Sequence, residues 1–312
     1  METRTRRPLR GIAYKLTSVL IFITMTALIK STGGRVPAGE TVFFRSAFAI
    51  PVILVWLLLR GELRQGLKTR NPIGHLWRGV MGTCAMGFGF ASLAFLPLPE
   101  VTAIGYAAPL LTVIFAAMFL GEAVRLFRLS AVALGLAGVL IIVAPRLTVT
   151  QGDAISHAQA LGAMLVLVGA IFTALAQVFV RKLVDTEGTP AIVFWFSVTA
   201  TLLSFITLPF GWVFPGPQDL TILIMAGILG GFGQIFLTSS YREADASVVA
   251  PFDYASMIFA LAIGWFFFSE VPTGTMLFGA SLVMLAGVLI IWRERQLGLK
   301  RAEHRKAMTP QG

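Results

Sequence analysis

Ten apolar stretches of about 20 residues each, joined by loops too short to hold a domain, dominate this sequence. They run over 11–30, 40–59, 73–96, 99–120, 128–145, 159–180, 190–213, 219–241, 246–268 and 274–292. A hydrocarbon layer about 30 Å thick is crossed by roughly 20 residues of helix. None of the stretches alternates apolar and polar residues with the period of two that a barrel strand requires, so each reads as a helix. With 56% hydrophobic and 13% charged residues, the chain has too little polar surface to cover a water-soluble globule. The expected fold is an all-α integral membrane protein of ten transmembrane helices, with lipid as its solvent.

The net charge of +10 suggests nucleic acid until the basic residues are placed. Nineteen of the 25 fall in the N-terminal tail, in alternate loops and after Trp292. Only Lys30, Arg35 and Arg146 fall on the other side, and Lys15, Arg45 and Arg78 lie within runs. This is the positive-inside pattern of a multi-pass protein of the bacterial inner membrane with both termini cytoplasmic. The basic tails are too short and too poor in aromatics for a nucleic-acid module. The first run is too long for a secretory signal and ends without a cleavage site, so it reads as an uncleaved helix.

The heptapeptide LAGVLII occurs at Leu136–Ile142 and again at Leu285–Ile291. Other matches keep nearly the same spacing: Val42–Ser46 with Val193–Ser197, Gly87-Phe88-Gly89 with Gly231-Phe232-Gly233, Tyr106 with Tyr254, and Leu120-Gly121-Glu122 with Phe268-Ser269-Glu270. Matches in order at a near-constant offset signal a duplicated unit. Five is odd, so a second five-helix copy enters the membrane from the opposite side, giving two inverted repeats. The expected organisation is a tail over 1–10, a first repeat over 11–146, a linker over 147–158, a second repeat over 159–292 and a basic tail over 293–312. The heptapeptide then does the same packing job twice, and the two Gly-Phe-Gly motifs read as close-approach sites between helices.

An inverted repeat lets two mirror-related states, one open to each side, hold a ligand near the midplane. The ten-run plan, the duplication, and the endings FLGE at Phe119–Glu122 and FFSE at Phe267–Glu270 resemble the EamA family of the drug/metabolite transporter superfamily, over residues 10–293. That resemblance implies a secondary transporter working by alternating access, with export of amino acids or drug-like metabolites within its range. A narrower likeness, in RGIAYK at Arg10–Lys15 and PAGETVFFRSAFAIP at Pro37–Pro51, is to the bacterial riboflavin importers of that family and implies riboflavin uptake.

Polar groups inside apolar runs are costly, and each demands a partner or a ligand. Arg45 is either a ligand contact or the partner of Glu40, and its repeat mate is Phe196. Asp253 lies too deep to reach the interface and follows Pro251, a helix break; its alternative role is an ion pair, with Arg242 as one partner. Pro109 breaks the fourth run, and Tyr106 and Tyr254 form a pseudo-symmetric pair suited to a flat ligand. Trp195, Gln177 and Gln234 complete the candidate substrate-binding set. Lys15 and Arg78 read as snorkelling to the cytoplasmic interface, and Glu122 and Glu270 as caps of the helices that follow them. Cys84 has no partner or metal-ligand spacing, and no phosphate loop, GxSxG or HExxH appears. The chain is therefore expected to be no enzyme and to use no cofactor or metal. Its expected partners are a small-molecule substrate and membrane lipid; a homodimer through the last helices of each half stays open.

Overall fold

The computed structural model describes residues 8–120, 126–147, 154–184, 186–244 and 249–308. Every regular element within them is helical. The helices are α1 (Pro8–Ser31), α2 (Ala38–Ala47), α3 (Ala49–Leu59), the single turn α4 (Leu63–Gly66), α5 (Pro72–Ser92), α6 (Leu98–Gly105), α7 (Ala107–Leu120), α8 (Leu126–Leu147), α9 (Ala154–Val184), α10 (Thr189–Ser204), α11 (Pro217–Glu243), α12 (Ala255–Phe268) and α13 (Gly274–Met308). Two 3₁₀ turns lie at Phe205–Phe210 and Ala250–Tyr254.

Eight stretches among the described residues are long and apolar enough to cross a membrane. The third and ninth expected runs fall outside that set for different reasons. His75, Arg78 and a row of glycines dilute α5, and the 3₁₀ turn at Ala250–Tyr254 leaves only the shorter apolar segment Phe252–Phe268. The last helix, in turn, continues past Trp292 to Met308, because the basic tail is rich in strong helix formers and free of proline until Pro310.

Three helix interruptions fall four or five residues ahead of a proline. The α-helix ends at Ala47 four residues before Pro51 and at Gly105 four before Pro109, and at Ser204, five before Pro209, it tightens into a 3₁₀ turn from Phe205. A proline offers no N–H to the carbonyl four residues earlier, and its ring crowds that carbonyl. The break tied to Pro109 therefore appears one turn upstream, where the Tyr106 amide turns back to the Ala103 carbonyl at 3.3 Å.

The long helices pair along their lengths, α1 with α11, α5 with α9 and α8 with α13. Large apolar side chains such as Val55, Met118, Leu140, Met164, Ile258 and Phe278 stand exposed, the inverse of a water-soluble surface and what contact with lipid tails requires. Where α8 crosses α13 the backbones touch: a Cβ on Gly138 would stand 2.7 Å from the Gly279 carbonyl oxygen. Gly287, its counterpart in the repeated heptapeptide, instead makes room for the Tyr254 hydroxyl, which a Cβ there would overlap. The same seven residues thus do two different jobs, correcting the expectation of one. Gly231 is a close-approach site, 2.8 Å from Val52 once given a Cβ, whereas Gly87 and Gly89 meet nothing within 4 Å.

Polar contacts between distant segments tie the helix termini together at two ends. At one end Lys30 Nζ lies 3.0 Å from the Glu270 carboxylate and donates to the carbonyls of Leu93 and Leu96. Glu270 also accepts the Leu98 amide at 2.8 Å, so it caps α6 across the bundle rather than the helix that follows it. Glu122, its repeat counterpart, lies outside the described residues. At the same end Arg146 grips Glu100 and reaches Gln159 at 2.6 Å, and Arg35 holds Asp219 at 2.6 Å. At the other end Glu187 accepts the Thr69 hydroxyl at 3.0 Å and the amides of Arg70 and Asn71 at 2.5 and 2.7 Å. Burial opposes its ionisation, but those donors, with His75 nearby, outweigh it and hold the Glu187 carboxyl below the usual carboxylate range.

Candidate substrate-binding site

The break after α6 and the 3₁₀ turn before α12 bring Tyr106 and Tyr254 together. Their ring centroids lie 5.0 Å apart at an interplanar angle of 68°, an edge-to-face pair. The Tyr106 hydroxyl is 2.6 Å from Ser256 Oγ and 3.3 Å from the Tyr254 carbonyl oxygen, and Ser256 Oγ is 2.6 Å from the Asp253 carbonyl oxygen. A carbonyl only accepts, so Ser256 commits its one proton to Asp253 and Tyr106 must donate to Ser256. The Tyr106 phenol is left with acceptor capacity alone, which favours a ligand that offers N–H or O–H groups.

Asp253 forms an ion pair with Lys15 Nζ at 2.7 Å. Lys15 does not snorkel: its side chain is 2% exposed, against 45% for Asp253. The reason is local, since a buried ammonium needs an opposite charge and Asp253, next to the 3₁₀ turn's end, is within reach. The side chain of Arg242, the partner named from sequence, lies outside the described residues. Asp253, next in sequence to Tyr254, keeps part of its side chain exposed.

A second cluster lies between α2, α5 and α10. Arg45 and Arg78, each about 10 Å along its helix from opposite ends of the bundle, both face the Phe196 ring. Their Cζ atoms stand 5.7 and 4.0 Å from its centroid. Arg45 is not the partner of Glu40, whose carboxylate instead accepts the Val213 amide at 3.0 Å. Nor does Arg78 snorkel, because its guanidinium folds back beside Gly82, whose missing Cβ leaves the space. In both arginines Nε and Nη1 are buried and have no hydrogen-bond partner among the described residues. Gly230 opens the corresponding space against Arg45 Nε, with Met25 as the next neighbour.

The remaining candidates stand apart from both clusters. Trp195 donates its indole N–H to the Leu67 carbonyl at 3.0 Å, at the end of the bundle near α4. Gln177 accepts the Thr112 hydroxyl at 3.3 Å, and Gln234 is half-buried on α11. Pro109 stands in the first turn of α7 and Pro251 in the 3₁₀ turn before α12. Sequence reading missed Lys15, Arg78 and Ser256. Arg78 carried a signal, being a charge inside an apolar run with no acid three or four residues to either side. Among the described residues no group of three His, Cys, Asp or Glu side chains is placed to hold a metal ion.

A family model described as the EamA-like transporter family matches the chain twice, over residues 9–144 and 160–293. The pseudopaline exporter of Pseudomonas aeruginosa is 30% identical over 90% of this chain and 95% of its own. The riboflavin transporter of Rhizobium johnstonii is 29% identical over 94% and 92%, and the S-adenosylmethionine uptake transporter of Rickettsia prowazekii 25% identical over 95% and 97%. A solved crystal structure with 21% sequence identity superposes with a TM-score of 0.64, covering 92% of this chain and 98% of that one, a likeness of fold.

Proposed function

The chain belongs to the EamA-like transporter family, and from that premise we propose that it is a secondary transporter moving a small polar or aromatic metabolite across the bacterial inner membrane by alternating access. The observation that carries the reading is that residues matched across the two halves meet in space. Tyr106 touches its mate Tyr254, and Arg45 faces its mate Phe196. A residue lies beside its own mate only near a two-fold axis, so these contacts support two inverted five-helix repeats around a shared midplane. The pairing of helices supports the same plan, since α1 on α11 exchanges with α9 on α5 when the halves are swapped. So does the family match to each half in turn. On this reading α5 and α12 are the third and ninth crossings, and the basic end holds both termini on the cytoplasmic side.

Riboflavin is the first cargo to test, on the likeness at Arg10–Lys15 and Pro37–Pro51 and on a relative named a riboflavin transporter. The isoalloxazine ring is flat and carries N–H and carbonyl groups, which suits the tyrosine pair with its free acceptor. Export is the second reading, favoured by the relative named a pseudopaline exporter. Purified protein in proteoliposomes, loaded or unloaded, should accumulate a radiolabelled cargo unchanged, and Tyr254→Ala and Asp253→Asn should each cut the rate at least tenfold while the protein stays folded. Full rates in both variants would remove the tyrosine pair from the site. Import or export then follows from comparing right-side-out with inverted vesicles under the same gradient.

A further inference from the structure

We propose that Arg45, Arg78 and Phe196 form an anion-recognition subsite, and that the cargo of this carrier bears a carboxylate or phosphate group, which riboflavin lacks, so that an anionic metabolite replaces riboflavin as the preferred cargo. The inference rests on the transport reading above for the word cargo, and on the geometry alone for the subsite. Two guanidinium groups are held against one ring, each with two buried N–H-bearing nitrogens for which the described residues offer no acceptor. Arg45 is 3% exposed, so water does not serve it as it serves a surface arginine. Unpaired like charges sharing an apolar interior are strongly unfavourable, and the end-of-bundle arginines show that this chain supplies carboxylates where it needs them.

The neighbours of the two arginines are neutral. Phe196 presents the negative face of its ring and offsets part of the charge, while the glycines at 82 and 230 keep space around the guanidinium nitrogens. Neither glycine nor a ring accepts a fork of N–H donors. A carboxylate or phosphate does, in the bidentate geometry for which arginine is suited. Because the two helices reach Phe196 from opposite ends of the bundle, one anion bound between them would also bridge segments that must part during alternating access. A cationic ligand is repelled here, and a neutral one leaves both charges uncompensated.

Flavin mononucleotide and riboflavin share a ring system and differ by one phosphate, and citrate presents carboxylates without a ring. Melting temperatures of the purified protein in phosphatidylcholine nanodiscs, at ionic strength held constant with chloride, are the readout. Flavin mononucleotide or citrate should stabilise the protein at concentrations at least tenfold below those at which riboflavin does. Arg45→Met and Arg78→Met should each abolish that stabilisation, and Arg45→Lys should weaken it several-fold, the charge being kept and the fork lost. With no ligand present, both methionine variants should melt no lower than the parent, since no protein partner is left behind. The proposal falls if neither anion outperforms riboflavin, if the methionine variants respond as the parent does, or if they melt lower without ligand. It also falls if added phosphatidylglycerol competes with the soluble anions, which would make the occupant a lipid headgroup. Proteoliposomes separate the two readings: anion binding through the arginines without accumulation of any cargo sinks transport alone, and riboflavin transport indifferent to both arginine substitutions sinks the subsite alone.

Discussion

The charges at the ends of the bundle and the two arginines around Phe196 are treated in opposite ways, while the buried Lys15–Asp253 pair follows the rule of the ends. Lys30, Arg35 and Arg146 each meet a carboxylate at a terminus, and Glu187 collects hydroxyl and amide donors at the other end. Among the described residues Arg45 and Arg78, deeper in, meet a ring and no hydrogen-bond acceptor. On the reading proposed above, the contrast separates two roles. A paired charge at a helix terminus fastens one segment to another, whereas an unpaired charge held in an apolar interior is a cost to the fold that only a bound partner relieves.

The comparison is broken first at Glu270, where the largest effect is expected. Glu270→Ala removes both the partner of Lys30 and the cap on the Leu98 amide, and should cost about 3 kcal/mol, read as a lower melting temperature in nanodiscs. Arg45→Met should move stability the other way, by about 2 kcal/mol at most, because a buried charge without a partner is replaced by apolar volume. If the two substitutions shift stability in the same direction, the division into fastening ends and a ligand-seeking middle is wrong.

A smaller effect, about 1.5 kcal/mol, belongs to Glu187, and it depends on pH. Its folded-state pKa is depressed, so its contribution is fully present above the ordinary value of 4.5 and is lost as pH falls through the lower folded value. Glu187→Gln should therefore melt below the parent at pH 7, with the gap closing as the medium is acidified below that value; a gap constant with pH would deny the carboxylate its role. Smallest is Tyr106→Phe, which removes one donated hydrogen bond to Ser256 and should cost about 1 kcal/mol while leaving the ring pair in place. An unchanged melting temperature would return that phenol proton to a ligand.

Legibility divides along the same lines. Helix positions, proline-linked breaks and the encounter of Tyr106 with Tyr254 could be reasoned from apolar length, missing amide donors and the regular spacing of matched residues. Lys15 with Asp253 could not, because 238 positions separate them and the nearer Arg242 offered itself as the partner. The heptapeptide shows the limit most clearly: its glycine signals a close approach in both copies, yet what approaches is a backbone at Gly138 and a phenol at Gly287.

By itself the sequence determined the solvent and the helical class, since apolar length and the absence of backbone partners in lipid leave few alternatives, and its repeated motifs carried the resemblance to the family. Only the tertiary structure decided which of the described charges are neutralised and which are not. That outcome depends on where a side chain's tip arrives among helices far apart in the chain, and two residues alike in type and depth, such as Lys15 and Arg78, end with a carboxylate in one case and none in the other.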